Sequence, residues 1–217
     1  MVTSLAVQLY TYPLSHYCIK VQKILEYKGI PYRSIEVKYN DRTPLLKASG
    51  QDYIPYLVDD GQGFTWPHIV DHLERKAPTP TLYPDGNKGK AAVLEHWAHA
   101  VVEEAVWRYV VTDAEKYLAR RDEAEAWVFG EMQSRARGPW HLLEHRKPEF
   151  YEGMKEVLAL VEKGLDGKPY YGGNAPSLAD FALYGAISPL YTVGGQIPAE
   201  FQTLRAWWGR LDGKKSA

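Results

Sequence analysis

Ser15 and Cys18 stand three residues apart, where a run of β-forming residues gives way to helical periodicity. A group at the first turn of a helix faces unpaired backbone N–H groups and the positive end of the helix dipole, so an anion placed there is stabilised. Ser15 is therefore a candidate to hold an anion; its other reading is a plain N-cap serine that accepts from a backbone N–H. Cys18 is the single cysteine of the chain, which excludes an internal disulfide and two-thiol redox chemistry. It reads as a buried small apolar residue, with one-thiol chemistry as the alternative. Tyr12, in the loop before Ser15, can aim a hydroxyl at the same point, whereas Tyr10 falls in the strand and Tyr17 in the helix. With sixteen tyrosines in the chain, most must be packing residues. His96 with His99, and His141 with His145, each share a helical face, but no third ligand of the right type lies close by; a solvated face and no metal site are expected.

The elements that position these groups follow from the hydrophobic pattern. Leu5 to Thr11 reads as a strand, interrupted by Pro13, and Ser15 to Lys28 as a helix with Ile19, Val21, Ile24 and Leu25 on one face and Gly29 as its stop. Pro31 to Val37 reads as a second strand, and Lys38 to Gly50 as a loop with a short helix. Tyr56 to Val58 is apolar and ends at the turn Asp59-Asp60-Gly61; Phe64 and Thr65 form the return strand, and Pro67 opens a helix that runs to about Lys76. The order is βαβ then ββα. Ala77 to Gly86 then holds three prolines and a glycine, the composition of a linker. From Lys88 onward only helical periodicity persists: Ala91 to Leu118, a polar stretch to about Gly138, Phe150 to Leu165, Ser177 to Leu190 and a last helix near Phe201 to Leu211. The expected fold class is α/β plus all-α, with residues 1–78 as the first domain, 79–87 as linker and 88–217 as an all-helical second domain.

Composition narrows the function. The net charge is −1 over 217 residues with no block of Lys and Arg, which argues against a nucleic-acid partner or an anionic membrane surface. No apolar run approaches the length that crosses a bilayer, the N-terminal residues carry no basic leader, and one cysteine suits a reducing compartment, so a cytoplasmic location is expected.

Taken together, three motifs in this order resemble the cytosolic glutathione transferase family. Ser15-His16-Tyr17-Cys18 is similar to the S-x-x-C form of a thioredoxin C-x-x-C, Ile54-Pro55-Tyr56-Leu57-Val58-Asp59-Asp60-Gly61 to the family's V-P-x-L-x-D-x-G, and Pro176-Ser177-Leu178-Ala179-Asp180 to its P-S/T-x-A-D segment. The resemblance implies a thioredoxin-like first domain and a helical-bundle second domain. It also implies that Pro55 is cis, with the Ile54 backbone exposed to the cysteinyl part of glutathione, although an isolated X-Pro at a strand edge is ordinarily trans. Ser15 matches the serine that, in Ser-type transferases, donates to the glutathione sulfur and lowers its pKa. Thr65 and Trp66 fall where the family carries Glu/Gln-Ser to hold the γ-glutamyl carboxylate; Trp66 removes the hydroxyl and adds bulk. Ser177 with Asp180 reads as a capping pattern with a stabilising role.

The function implied is conjugation of glutathione, as co-substrate, or of a related thiol, to a small apolar electrophile, in a homodimer. The competing reading is a non-catalytic interaction module that keeps the fold around a decayed thiol site, and Trp66 is the residue that favours it. The apolar and aromatic residues around Trp97 to Tyr109 lie on the helix that faces the thiol site in that family; at helical spacing such residues are more often core than pocket.

Overall fold

The computed structural model describes residues 7–213. Its first part is a four-stranded mixed sheet with three helices. Strand β1 (Val7–Thr11) lies between β2 (Tyr32–Glu36), which is parallel to it, and β3 (Tyr56–Asp59), which is antiparallel; β4 (Gln62–Thr65) pairs with β3 at the edge. Helices α1 (His16–Tyr27), α2 (Thr43–Ser49) and α3 (His68–Lys76) connect them in the expected βαβ and ββα order. The Leu5 end of the expected first strand lies outside the described residues. The β3–β4 turn holds Asp60 and Gly61 at φ of 48° and 79°, the pair of positive values that a two-residue hairpin turn requires. Pro67 stands at the N-cap of α3 rather than inside its first turn.

The second part is helical. Helix α4 (Lys88–Trp97) runs without a break into a π-helical segment, Ala98–Glu103, and on into α5 (Glu104–Ala119). The single helix expected over 91–118 is thus wound more loosely at its centre, a local change of period that a 3.6-residue pattern does not reveal. The polar stretch expected up to Gly138 is helix α6 (Glu123–Arg137), followed by α7 (Trp140–His145). Helix α6 buries only Glu125, Ala126 and Phe129, too few anchors to show as periodicity, yet Asp122 caps it by accepting from Glu125 N at 3.1 Å. That Asp-x-x-Glu start was its visible signal. Helices α8 (Lys147–Leu165), α9 (Leu178–Thr192) and α10 (Gln202–Asp212) complete the bundle.

The two larger of three buried clusters hold the halves together, and each borrows from the other half. Tyr12 and Leu14, from the loop ahead of α1, are buried in the core of the helical part. Leu178 and Phe181, from the start of α9, are buried in the core beneath the sheet. Every residue from Leu178 to Leu190 is buried, so α9 is the central post of the molecule, and α1 packs along it. No helix among the described residues is long and apolar enough to cross a membrane.

Candidate functional site

Ser15 is the N-cap of α1, as its position implied. Its Oγ accepts from Cys18 N at 3.4 Å, a long bond that leaves the helix start only weakly satisfied. No acidic residue stands in the first turn of α1 itself, so no carboxylate of that helix occupies its positive end. The loop geometry is fixed from behind: Ser15 N donates to Tyr12 O at 3.0 Å, and Tyr12 and Leu14 are locked in the helical core. Cys18 is fully buried and burial pushes its thiol pKa up, against the opposing pull of Ser15, Thr11 and the Tyr12 backbone. A buried, protonated thiol is a packing residue.

The Ile54-Pro55 bond is cis. Ile54 and Ser15 line one cavity of about 200 Å³ between the two halves of the molecule, and Pro55 is buried beside it at the start of β3. Tyr12, Tyr39 and Trp107 form its aromatic wall; the Tyr12 and Tyr39 rings meet edge to face at 4.7 Å. Burial, followed by the nearby Glu125 carboxylate, raises the Tyr12 phenol far above its ordinary pKa, so this hydroxyl stays protonated. The remaining walls are polar and came from no motif. Arg42 lies at the start of α2, Gln133 and Arg137 lie on α6, and His16 and Glu103 face one another with Nδ1 and Oε1 3.4 Å apart. Arg137 donates to Gln133 at 2.8 Å and to Glu104 at 3.0 Å, but its buried Nε has no partner among the described residues. Arg42 stacks its guanidinium 5.1 Å from the Tyr39 ring and pairs with no carboxylate among the described residues.

Thr65 and Trp66 are not among the residues that line this cavity. Thr65 ends β4 opposite Tyr56. Trp66 lays its ring over the ammonium of Lys20, 3.3 Å from Nζ to centroid, and tilts against Tyr17 at 5.6 Å. Lys20 on α1 is fully buried; it donates to Glu95 at 2.7 Å and meets His99 Nε2 at 2.8 Å, so it ties the first half to α4. His99 therefore faces inward, whereas its expected companion on a solvated face, His96, is exposed.

Burial lowers the Lys20 pKa to about 7, partly offset by Glu95. Its folded pKa lies below the unfolded value of 10.5, so between the two the unfolded chain binds more protons and stability rises with pH. We expect urea unfolding to show wild type gaining stability relative to Lys20→Met between about pH 7 and about pH 10. A constant difference across that window would show that Lys20 keeps its proton when folded.

A larger groove of about 700 Å³ lies between α5 and α8, floored by Val101, Ala105, Phe150 and Met154. It contains no residue of the Ser15 or Ile54 motifs, so the smaller cavity is the candidate site.

The comparisons with known proteins agree with this architecture. A family profile described as the glutathione S-transferase N-terminal domain matches residues 9–81, and one described as its C-terminal domain matches residues 111–213; together they cover more than half of the chain. A probable glutathione S-transferase of Oryza sativa subsp. japonica, GSTU6, is 22% identical over 209 residues, 91% of this chain and 80% of that one. Glutathione S-transferase Mu 2 of Mus musculus is 29% identical over 72 residues, so this chain spans only 33% of the length of that relative. The crystal structure of a Ceriporiopsis subvermispora glutathione S-transferase in complex with glutathione superposes with a TM-score of 0.78 at 19% identity, covering 98% of this chain and 99% of that one. The chain, with its thioredoxin-like first domain and helical second domain, belongs to the glutathione S-transferase family.

Proposed function

We propose that the chain conjugates glutathione, or a closely related thiol, to a small apolar electrophile, with the sulfur held as thiolate by Ser15 at the start of α1. The observation that carries this reading is one cavity in which the α1 start, the residue ahead of a cis proline and two arginines converge. A thiolate at that helix start is stabilised by the dipole and by the Ser15 hydroxyl as donor. Glutathione also bears two carboxylates, and Arg42, paired with no carboxylate among the described residues, is the natural counterion for one of them. A cavity of about 200 Å³ holds a cysteinyl group with a small electrophile, so the rest of the tripeptide must lie along the open side. Aromatic surface from Tyr12, Tyr39 and Trp107 suits an apolar second substrate.

A second reading rests on Trp66. With its ring packed on Lys20, the position that would hold the γ-glutamyl group offers no hydroxyl, and a protein that keeps the fold for interaction alone needs none.

Calorimetric titration with glutathione, together with conjugation assays, separates these readings. Wild type is expected to bind and to conjugate; Ser15→Ala is expected to lose roughly a hundred-fold in rate, the scale of one lost oxyanion-type donor. Cys18→Ala is expected to keep its rate and lose only stability. Activity that follows Cys18 rather than Ser15 would assign the chemistry to the cysteine. Absence of binding in wild type, unrestored by Trp66→Ser, would favour the interaction module.

A further inference from the structure

The cavity carries one group that thiolate stabilisation does not require: the carboxyl of Glu103. It is the last residue of the π-helical segment and stands on the helical-domain wall of the cavity that Ser15 lines from the other side. Segments of this kind concentrate at functional sites, because the added residue re-aims side chains that a regular helix would direct elsewhere. Here His99 and Glu103 both turn toward α1. A carboxylate fixed beside a thiolate would oppose it, so a group of this type in this place calls for a reason.

We propose that Glu103 is the acid–base group of this cavity, taking the proton of the bound thiol and returning it to an electrophile that ends its reaction on a carbanion, such as an α,β-unsaturated carbonyl compound. The inference rests on the conjugation reading above. The step balances without a further reagent. The thiol proton passes to the Glu103 carboxylate, and the sulfur electron pair forms a bond to the β-carbon. The π pair moves to the α-carbon and takes the proton back from Glu103. Thiol and alkene become one thioether, and the carboxylate is regenerated.

The surroundings suit that role. Burial raises the Glu103 carboxyl to about 7, Arg137 draws it down and Glu104 pushes it up again. His16, whose Nδ1 lies 3.4 Å from the Glu103 carboxyl, is pushed down to about 2 by burial, then by His99 and Lys20, and so stays neutral. It can position the carboxyl without competing for the proton. Arg42 and the neutral phenols of Tyr12 and Tyr39 stand elsewhere on the cavity wall. A proton donor near neutrality is matched to a thiol whose own pKa has been lowered toward the same range.

The test is the pH dependence of glutathione addition to an α,β-unsaturated ketone by wild type, Glu103→Gln and Glu103→Asp, with glutathione affinity measured on the same proteins. In wild type the rate should rise and then fall with pH, because the form with one proton shared between sulfur and carboxyl is the active one. Glu103→Gln should lower kcat roughly a hundred-fold and abolish the fall on the alkaline side, and Glu103→Asp should recover part of both. Wild-type kcat and pH profile in Glu103→Gln would overturn the proposal. So would a loss of glutathione affinity in Glu103→Gln that Glu103→Asp leaves unrestored, the mark of a packing role. If wild type binds no glutathione, the conjugation reading itself fails, before any Glu103 variant is compared.

Discussion

Asp180→Ala is expected to remove most of the stability of the molecule. The Asp180 carboxylate is fully buried and accepts from five donors. Oδ1 takes Tyr171 N and Trp207 Nε1, both at 2.8 Å, and Oδ2 takes Ser177 N at 2.8 Å, the Ser177 hydroxyl at 2.7 Å and Gly172 N at 3.2 Å. One side chain thus caps α9, pins the loop ahead of it and anchors α10 through Trp207. Removing it strands three buried N–H groups, those of Tyr171, Ser177 and Trp207, each of which costs about 1–3 kcal/mol without a partner, and the part-buried one of Gly172 besides. Even the low end for the three sums to about 3 kcal/mol, against a total of about 5–15 kcal/mol for an ordinary protein. The charge is held by N–H dipoles rather than a cation, so Asp180→Asn, which turns one acceptor into a donor, is also expected to be costly. Urea or thermal denaturation of both variants checks this; a melting temperature like that of wild type for Asp180→Ala would refute the hub role. The capping box expected of Ser177 and Asp180 is present, but capping is the smaller part of what Asp180 does.

Gly185→Ala is the second expected result, and it links stability to the site. Gly185 lies inside α9 where α1 crosses it, and a Cβ there would collide with the His16 carbonyl oxygen and meet Lys20 Cβ at 3.3 Å. Alanine in a helix interior is ordinarily better than glycine by about 0.5–1 kcal/mol. Overpacking against a fixed backbone costs about 1–3 kcal/mol, and it prevails here because α9, buried from Leu178 to Leu190, is packed on all sides at the crossing. The net effect is a loss of stability together with displacement of the α1 start. Ser15 is the residue before His16, so glutathione affinity and conjugation rate should fall in the same variant. Gly153→Ala in α8 is the control, since its Cβ would meet nothing within 4 Å; there the helix preference acts alone and stability should rise by about 0.5–1 kcal/mol. Opposite signs for the same substitution, read as melting temperatures, test the packing argument. A stabilised Gly185→Ala with normal glutathione affinity would contradict it.

The sequence by itself determined the parts of this protein that depend on neighbours along the chain. Turn chemistry placed the β3–β4 hairpin at Asp59 to Gly61, the change of period after Tyr12 placed the start of α1, and Ser15 at that start was legible because a cap acts within one turn of its helix. Local readings failed where helix was specified by few anchors, as in α6, or where the period itself changed, as between Ala98 and Glu103. Only the tertiary structure decided which distant side chains share the cavity with Ser15. Arg42 comes from the start of α2, Glu103 from the π-helical segment and Arg137 from the far end of α6, and none carries a sequence signal, because a wall built from three elements has no spacing. The same holds for Lys20 beneath Trp66, and for Asp180, whose second and third sets of partners lie in a loop and on another helix. Hydrogen bonds within a turn are fixed by chain geometry; those between elements exist only once burial has brought the elements together.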